Sequence, residues 1–291
     1  MRIAFIWSGV SFRYGKRFKD GLWAALEILK ESHTIGRFEP DNTAGIIGFK
    51  PDVLLFWGAF IDQEKGWVTQ LPYKKAICFA GGPIDAEVSK GFDLYFTESQ
   101  VTDDAFKNLN LPYFRAFGVN EKLYQPQNLP KKYDAAFWGT FAAWKRPQVF
   151  SEAVKDKGVW VGIKQAHEPE CYEVCEQDGV ETHGELSREE TLYYINSSYT
   201  ALNTAAYWGG GQRMTLEAMS CNVPPIVMAD SPKNTEYVLE SGVGLVVEPH
   251  VEKIQAAILK LKGKQEGREY ILSKWTAAHY AKSLEKGLMS L

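Results

Sequence analysis

Several things are missing from this chain, and each absence removes a class of function. Net charge is nearly absent: 33 lysines and arginines against 36 aspartates and glutamates leave −3 at pH 7. No overall basic field awaits a polyanion, so net charge lends a nucleic-acid partner no support. No run of about 18 apolar residues occurs, which removes a membrane-spanning helix. The N-terminus, Met1 to Gly9, holds an apolar run too short for a signal peptide and bounded like a first strand, so a cytoplasmic protein is expected. Cysteine is sparse: of Cys78, Cys171, Cys175 and Cys221 only the middle two are close, at a spacing that suits one helix face rather than a zinc pair. Cys78 and Cys221 read as small core residues. No HExxH, no Walker loop, no fixed-period repeat and no low-complexity tract is found.

What is present is apolar material in a regular rhythm. With 291 residues, 45% of them hydrophobic and 13% aromatic, the chain can bury a large core in one or two domains. Short apolar runs at Ile3–Trp7, Thr34–Phe38, Val53–Trp57, Ala76–Phe79 and Leu94–Thr97 alternate with amphipathic stretches, among them helices over about Lys16–Lys30 and Asp41–Phe49. Strands separated by helices imply a parallel sheet. Prolines, an amide pair and a lysine pair interrupt this rhythm between Gly118 and Lys132, which reads as an interdomain linker. The alternation then resumes with strands at Ala135–Trp138, Val159–Gly162, around Val180–Gly184, Thr200–Asn203 and Pro225–Ala229. Helices are expected at about Pro147–Lys155, Arg188–Asn196, Asn234–Glu240 and His250–Leu261, with a long final one from Gly267 to near Leu291.

The stretch from Tyr207 to Ala229 is the most telling, because a glycine loop runs into a helix carrying Arg213 and Glu217 and a buried strand follows. Bare amides and the positive end of a helix dipole suit a pyrophosphate, an arginine adds a charged fork, and a carboxylate one turn on can accept from a ribose diol. Gly210, Gly211, Gln212, Arg213, Met214, Thr215 and Glu217 are therefore candidate contacts. A glutamate on a helix that buries part of its surface needs a partner. That partner is either such a ligand or Arg213, four residues back.

The residues also resemble a known family. Leu216-Glu-Ala-Met-Ser-Cys-Asn-Val-Pro-Pro-Ile-Val227 is similar to the LEAMAxGxPVI-type signature of the group 1 glycosyltransferases. Gly118, Val119, Asn120, Tyr124 and Pro126 fall on the GVDxxxFxP segment that crosses between domains in that family, with Asn for the usual Asp. Val180 to Glu190 resembles its F-x-G-x-V/L-x-x-E-E-L segment, and Ser241 to Pro249 its G-x-x-G-L-L-V-x-P strand. The resemblance implies an α/β protein of the GT-B kind, two Rossmann-like domains facing a central cleft. Residues 1–120 would be the acceptor domain and residues 130–266 the nucleotide-sugar donor domain. The terminal helix of about residues 267–291 would pack back on the first domain through Tyr270, Ile271, Trp275 and Tyr280.

Roles follow from that likeness. Gly139 ends a strand, and Lys145 and Arg146 resemble the basic pair that grips donor phosphates, although Thr140 stands where the family carries its usual basic residue; a solvated basic turn is the lesser alternative. His183 and Gly184 lie where the family's backbone meets the nucleotide base, while Ser187 and Glu190 make a capping box that needs no ligand. Glu217 would hold the ribose, and Arg213 would neutralise the departing pyrophosphate as a catalytic group. The family's second glutamate, eight positions earlier, is Gly209 here, which leaves donor sugar and stereochemistry open; Tyr207 or Trp208 could fill that contact or pack a tight turn. Asp85, after a strand end, is the best carboxylate for acceptor chemistry, or else caps the next helix. Ser8, Gly9, Arg13 and Tyr14, in a first loop without GxGxxG, are acceptor-side candidates. No Asp-x-Asp of metal-dependent glycosyltransferases exists, so no obligatory metal or cofactor is expected.

The resulting expectation is transfer of a sugar, with retention, from a UDP- or GDP-sugar to a carbohydrate or other hydroxyl acceptor. Two alternatives stay open. An inverting enzyme of the phage DNA β-glucosyltransferase kind shares the order of glycine-ended strand, basic loop and helical glutamate. A non-catalytic nucleotide- or sugar-binding module would fit the missing glutamate. Oligomeric state is not legible.

Overall fold

The apolar runs become parallel strands, the central ones buried on both faces and the edge ones half-buried. A computed structural model describes residues 1–7, 20–58, 70–79, 91–206, 210 and 212–291. The chain divides into two units, Met1–Asn120 with Trp275–Leu291, and Glu121–Lys274. The first unit runs β1 (Arg2–Ile6), α1 (Gly21–Leu29), β2 (Thr34–Phe38), α2 (Thr43–Phe49), β3 (Val53–Gly58), β4 (Lys74–Phe79), β5 (Leu94–Thr97), α3 (Gln100–Asn108) and β6 (Tyr113–Arg115). Its sheet is parallel throughout, in the order β2-β1-β3-β4-β5-β6.

Alternation along β1 shows why the run is continuously apolar. Ile3 and Phe5 join Leu26 and Leu55 in one core, while Ala4 and Ile6 join Ile46, Leu54 and Phe56 in the other. α3 and β6 were not singled out in the sequence. α3 is a nine-residue helix of low mean hydropathy capped by Ser99, and three residues of β6 are too few to show a period.

The second unit runs β7 (Tyr133–Trp138), α4 (Pro147–Val154), β8 (Gly158–Val161), α5 (Glu170–Gln177), β9 (Glu181–His183), α6 (Arg188–Asn196), β10 (Ser198–Asn203), α7 (Gln212–Ser220), β11 (Pro225–Met228), α8 (Pro232–Ser241), β12 (Leu245–Val247), α9 (Val251–Leu261) and α10 (Arg268–Lys274). Its parallel sheet has the order β12-β11-β10-β7-β8-β9. The chain winds outward from β7 through β8 to β9, then crosses back to lay β10 on the other side of β7. That reversal is the switch point at which open α/β sheets leave a crevice beyond the strand ends. Both short-range signals hold: Pro147 is the first residue of α4, and Ser187 with Glu190 forms the capping box of α6.

The chain's end departs from the expected single helix. α10 stops at Lys274, and α11 (Ala277–Leu288) starts afresh. Two contacts account for it: the Trp275 carbonyl accepts from Val119 N at 2.8 Å, and the Thr276 hydroxyl caps α11 by accepting from His279 N at 3.2 Å. Gly118 permits this approach, since a Cβ there would lie 2.8 Å from the Thr276 carbonyl oxygen. Consequently Tyr270 and Ile271 belong to the second unit, where the Tyr270 hydroxyl donates to Glu240 at 2.8 Å. Tyr280, Leu284 and Leu288 are buried in the first unit's core. Among the described residues no helix is long and apolar enough to cross a membrane.

Candidate active site

At the switch point of the second sheet stand Gly139, Lys145 and Arg146, with Glu217 reaching the last residue of β7. β7 ends in Trp138, and Gly139 follows with φ +149, outside the range comfortable for side chains. Its carbonyl accepts from the Trp160 indole at 2.9 Å. Trp160 in turn stacks between Phe137 and Phe141, with centroids 4.0 and 4.9 Å away. A Cβ at Gly139 would also lie 2.7 Å from Lys145 Nζ, so a side chain there would push the ammonium aside. The glycine therefore makes room for the lysine.

Lys145 closes a single 3-10 turn, Ala143–Lys145, that folds back over the strand end. Its carbonyl accepts from the Thr204 hydroxyl just after β10, and Ala206 N donates to the Trp144 carbonyl at 2.9 Å, so both strands of the switch point anchor the turn. The ammonium is buried at 8% exposure, 4.8 Å from the ring centroid of Trp144 and 5.3 Å from that of Phe137. Burial, with the nearby charge of Arg213 adding to it, lowers its pKa to about 7. Arg146 behaves differently. It caps α4 in the left-handed region and grips the Asp230 carboxylate with both arms of its fork, one contact at 3.0 Å. The second arm's contact completes a bidentate pair that sequence reading did not foresee, since Asp230 follows β11, 84 residues away.

Glu217 lies on α7 with 1% exposure. The Trp138 indole donates to Oε2 at 2.6 Å, whereas Oε1 is buried with no hydrogen-bond partner. The fully buried Tyr124 hydroxyl faces this carboxylate but falls short of hydrogen-bond geometry. Burial raises the Glu217 pKa, and the charges of Arg188 and Arg213 oppose that shift. An uncompensated carboxylate oxygen in a dry place is costly, about 1–3 kcal/mol or more. Such a group is a position awaiting donors.

The other expected residues divide. Gln212 begins α7, so the amides of Gln212, Arg213, Met214 and Thr215 occupy its first turn. The Met214 and Thr215 side chains point into the core, Thr215 accepting from Asn203 at 3.4 Å and donating to Asn234 at 3.2 Å. The His183 imidazole pairs with Glu181 at 2.9 Å and packs on Tyr194, 4.6 Å between ring centres. Beside Gly184 a Cβ would meet nothing within 4 Å, so that backbone is open. Gly210 precedes α7 and is partly exposed. Gly211, Asp85, Ser8, Gly9, Arg13 and Tyr14, with Tyr207, Trp208 and Gly209, lie outside the described residues. Sequence reading missed Trp138, Tyr124, Arg188 and Asp230 as partners. The signal nearest to hand was Trp138, an indole donor directly before the strand-ending glycine.

Two parallel sheets of six strands, each with helices, define a GT-B protein, and solved structures agree. Sucrose-phosphate synthase from Thermosynechococcus elongatus superposes with a TM-score of 0.76 at 15% identity, covering 100% of this chain and 98% of that one. Anabaena HepE in complex with UDP gives 0.74 at 11% identity with 100% of both chains covered. AviGT4, a glycosyltransferase involved in avilamycin A biosynthesis, gives 0.71 at 15% identity, covering 100% of this chain and 98% of that one. At such identities these likenesses speak for the fold. No curated protein matches the sequence. The model of the family "Glycosyl transferases group 1" matches residues 120–274, more than half of the chain. The chain belongs to the group 1 glycosyltransferases and is a glycosyltransferase.

Proposed function

We propose that the protein moves a sugar from a nucleoside-diphosphate sugar to an acceptor hydroxyl, with retention and without an obligatory metal. In this reading the second unit holds the donor and the first receives a carbohydrate or other hydroxyl acceptor. The observation that carries it is Glu217: a buried carboxylate with an orphaned oxygen, beside two positive side chains, suits the diol of a ribose. Lys145 and Arg213, with the first-turn amides of α7, would take the charge of the departing diphosphate. Arg146 would join them when a phosphate displaces Asp230. Uridine is the favoured base, because the similarly folded HepE has been solved with UDP and with UDP-glucose. The four cysteines are all unpaired and buried, in keeping with a reducing, cytoplasmic setting.

A thermal-shift panel of UDP, GDP, ADP, CDP and TDP, with and without magnesium, tests the donor assignment. A ligand at about 100 times its Kd should add roughly 2.7 kcal/mol of stability. One magnesium-independent winner is expected, and Glu217→Ala and Arg213→Ala should stay folded while losing about 1.5–3 kcal/mol of that affinity each. Either variant binding like the parent would overturn the donor site. The anomeric configuration of the product, read by NMR, decides retention.

A further inference from the structure

Glu217 does not stand alone, and its two oxygens are treated differently. Oε2 receives the Trp138 indole at 2.6 Å, a charge-assisted contact. Oε1 is equally buried and unpartnered. An indole can only donate, and this one has spent its single hydrogen, so it offers a ligand nothing directly. The residue is 7% exposed at the end of β7, placed on a strand rather than a loop. On the other side the fully buried Tyr124 turns its hydroxyl toward the carboxylate, short of hydrogen-bond geometry, and its ring closes that flank.

We propose that Trp138 is a positioning residue: by fixing Glu217 Oε2 it presents Oε1, in one orientation beside the Tyr124 wall, to the vicinal diol of a ribonucleotide. The inference rests on the reading of Glu217 as the acceptor of the ribose hydroxyls. Its consequence is discrimination. A carboxylate already held in place loses little freedom when the diol arrives, and a ligand lacking those hydroxyls leaves Oε1 orphaned, which is how a built polar site rejects an analogue. Ribonucleoside diphosphates are thus selected over their deoxy counterparts by a residue that never touches them.

The test is calorimetric titration of UDP and 2′,3′-dideoxy-UDP into the parent, Trp138→Phe and a variant carrying benzothienylalanine at 138, which keeps the bicyclic shape and lacks only the N–H. The parent should prefer UDP by about 10–100-fold, the span of one to two charged hydrogen bonds. Both variants should bring that preference down to a few-fold while dideoxy-UDP binding stays within two-fold of the parent. A second readout is the acid limb of UDP binding. Glu217 must be ionised to accept, and the indole donor lowers its pKa, as do the facing Arg188, Arg213 and Tyr124 groups. Buried Cys221 also feels its charge. Without the indole the pKa rises, so binding should be lost at a higher pH. Equal weakening of both nucleotides would show that the indole acts only through the fold, and an unchanged preference would show that it does not act at all; either overturns the proposal. A parent that binds UDP and dideoxy-UDP alike would instead sink the ribose reading of Glu217.

Discussion

Both sheets place a reversal of winding beside their first strand, yet the side chains gathered there differ in kind. In the first unit the reversal lies between β1 and β3, and Trp7 and Trp57 meet edge to face across it, 5.0 Å between ring centres. Phe5, Leu22 and Trp23 line the same recess, together with Asp20, a buried carboxylate that caps α1 by accepting from Trp23 N at 2.9 Å. In the second unit the corresponding place holds Gly139, the buried ammonium of Lys145 and the half-satisfied carboxylate of Glu217. Aromatic faces are satisfied by contact area, so the first edge gains its stability from packing. Charge in a dry place is satisfied only by opposite charge or by donors, so the second edge keeps a deficit that a polar ligand can fill. Among the described residues the same architecture packs mainly apolar faces at one reversal and buries charge at the other.

The widest separation of the two should come from Leu284→Ala, which empties a fully buried site in the first unit's core. Thermal or denaturant unfolding should show a loss of about 2–5 kcal/mol, while the nucleotide affinity of the folded molecule stays put. A parallel fall in affinity would break the comparison.

Lys145→Met comes next and should cost about 1.5–3 kcal/mol of diphosphate affinity. Its pH dependence has two signs. The unfolded lysine binds a proton up to its ordinary pKa, the folded one only below about 7. Parental stability therefore rises with pH above about 7, and the variant should be stabilised most below that value. Diphosphate binding, by contrast, should draw a proton onto the lysine. Parental affinity then falls as pH rises above 7, by up to about tenfold per unit for one proton. Titration in buffers of different ionisation enthalpy reads that uptake, and zero uptake at pH 8 would remove Lys145 from the phosphate site.

The smallest effect is expected from Asp230→Asn, which releases Arg146 from its paired fork. If the arginine serves phosphate, UDP affinity should rise by about 0.2–1 kcal/mol, the worth of an exposed pair. A fall in helix stability with no gain in affinity would make the pair a brace for α4.

Much of this was written in local pattern. Alternating apolar and polar runs follow from the two-residue period of strands and the 3.6-residue period of helices, and they specify α/β units wherever a run is long enough. Three-residue β6 is not. Ser187 and Glu190 cap α6 because both partners lie within one turn. Glu217 declared itself as a carboxylate among Leu216 and Ala218 that would have to be buried.

What the sequence could not show is who meets that carboxylate. Trp138 is 79 residues from Glu217 and Asp230 is 84 from Arg146. The Thr204 hydroxyl reaches the Lys145 carbonyl across 59 residues. Pairings of that separation depend on strand order and register, which no local period encodes. The terminal break has the same origin: Trp275 and Thr276 read as more helix until the Val119 amide and the closeness of Gly118 require a turn there. The sequence by itself thus determined which segments are strands and helices and which residues carry charge into the core. Only the tertiary structure decided that one oxygen of Glu217 is held and the other left open, because long-range packing sets the partners of a buried polar group.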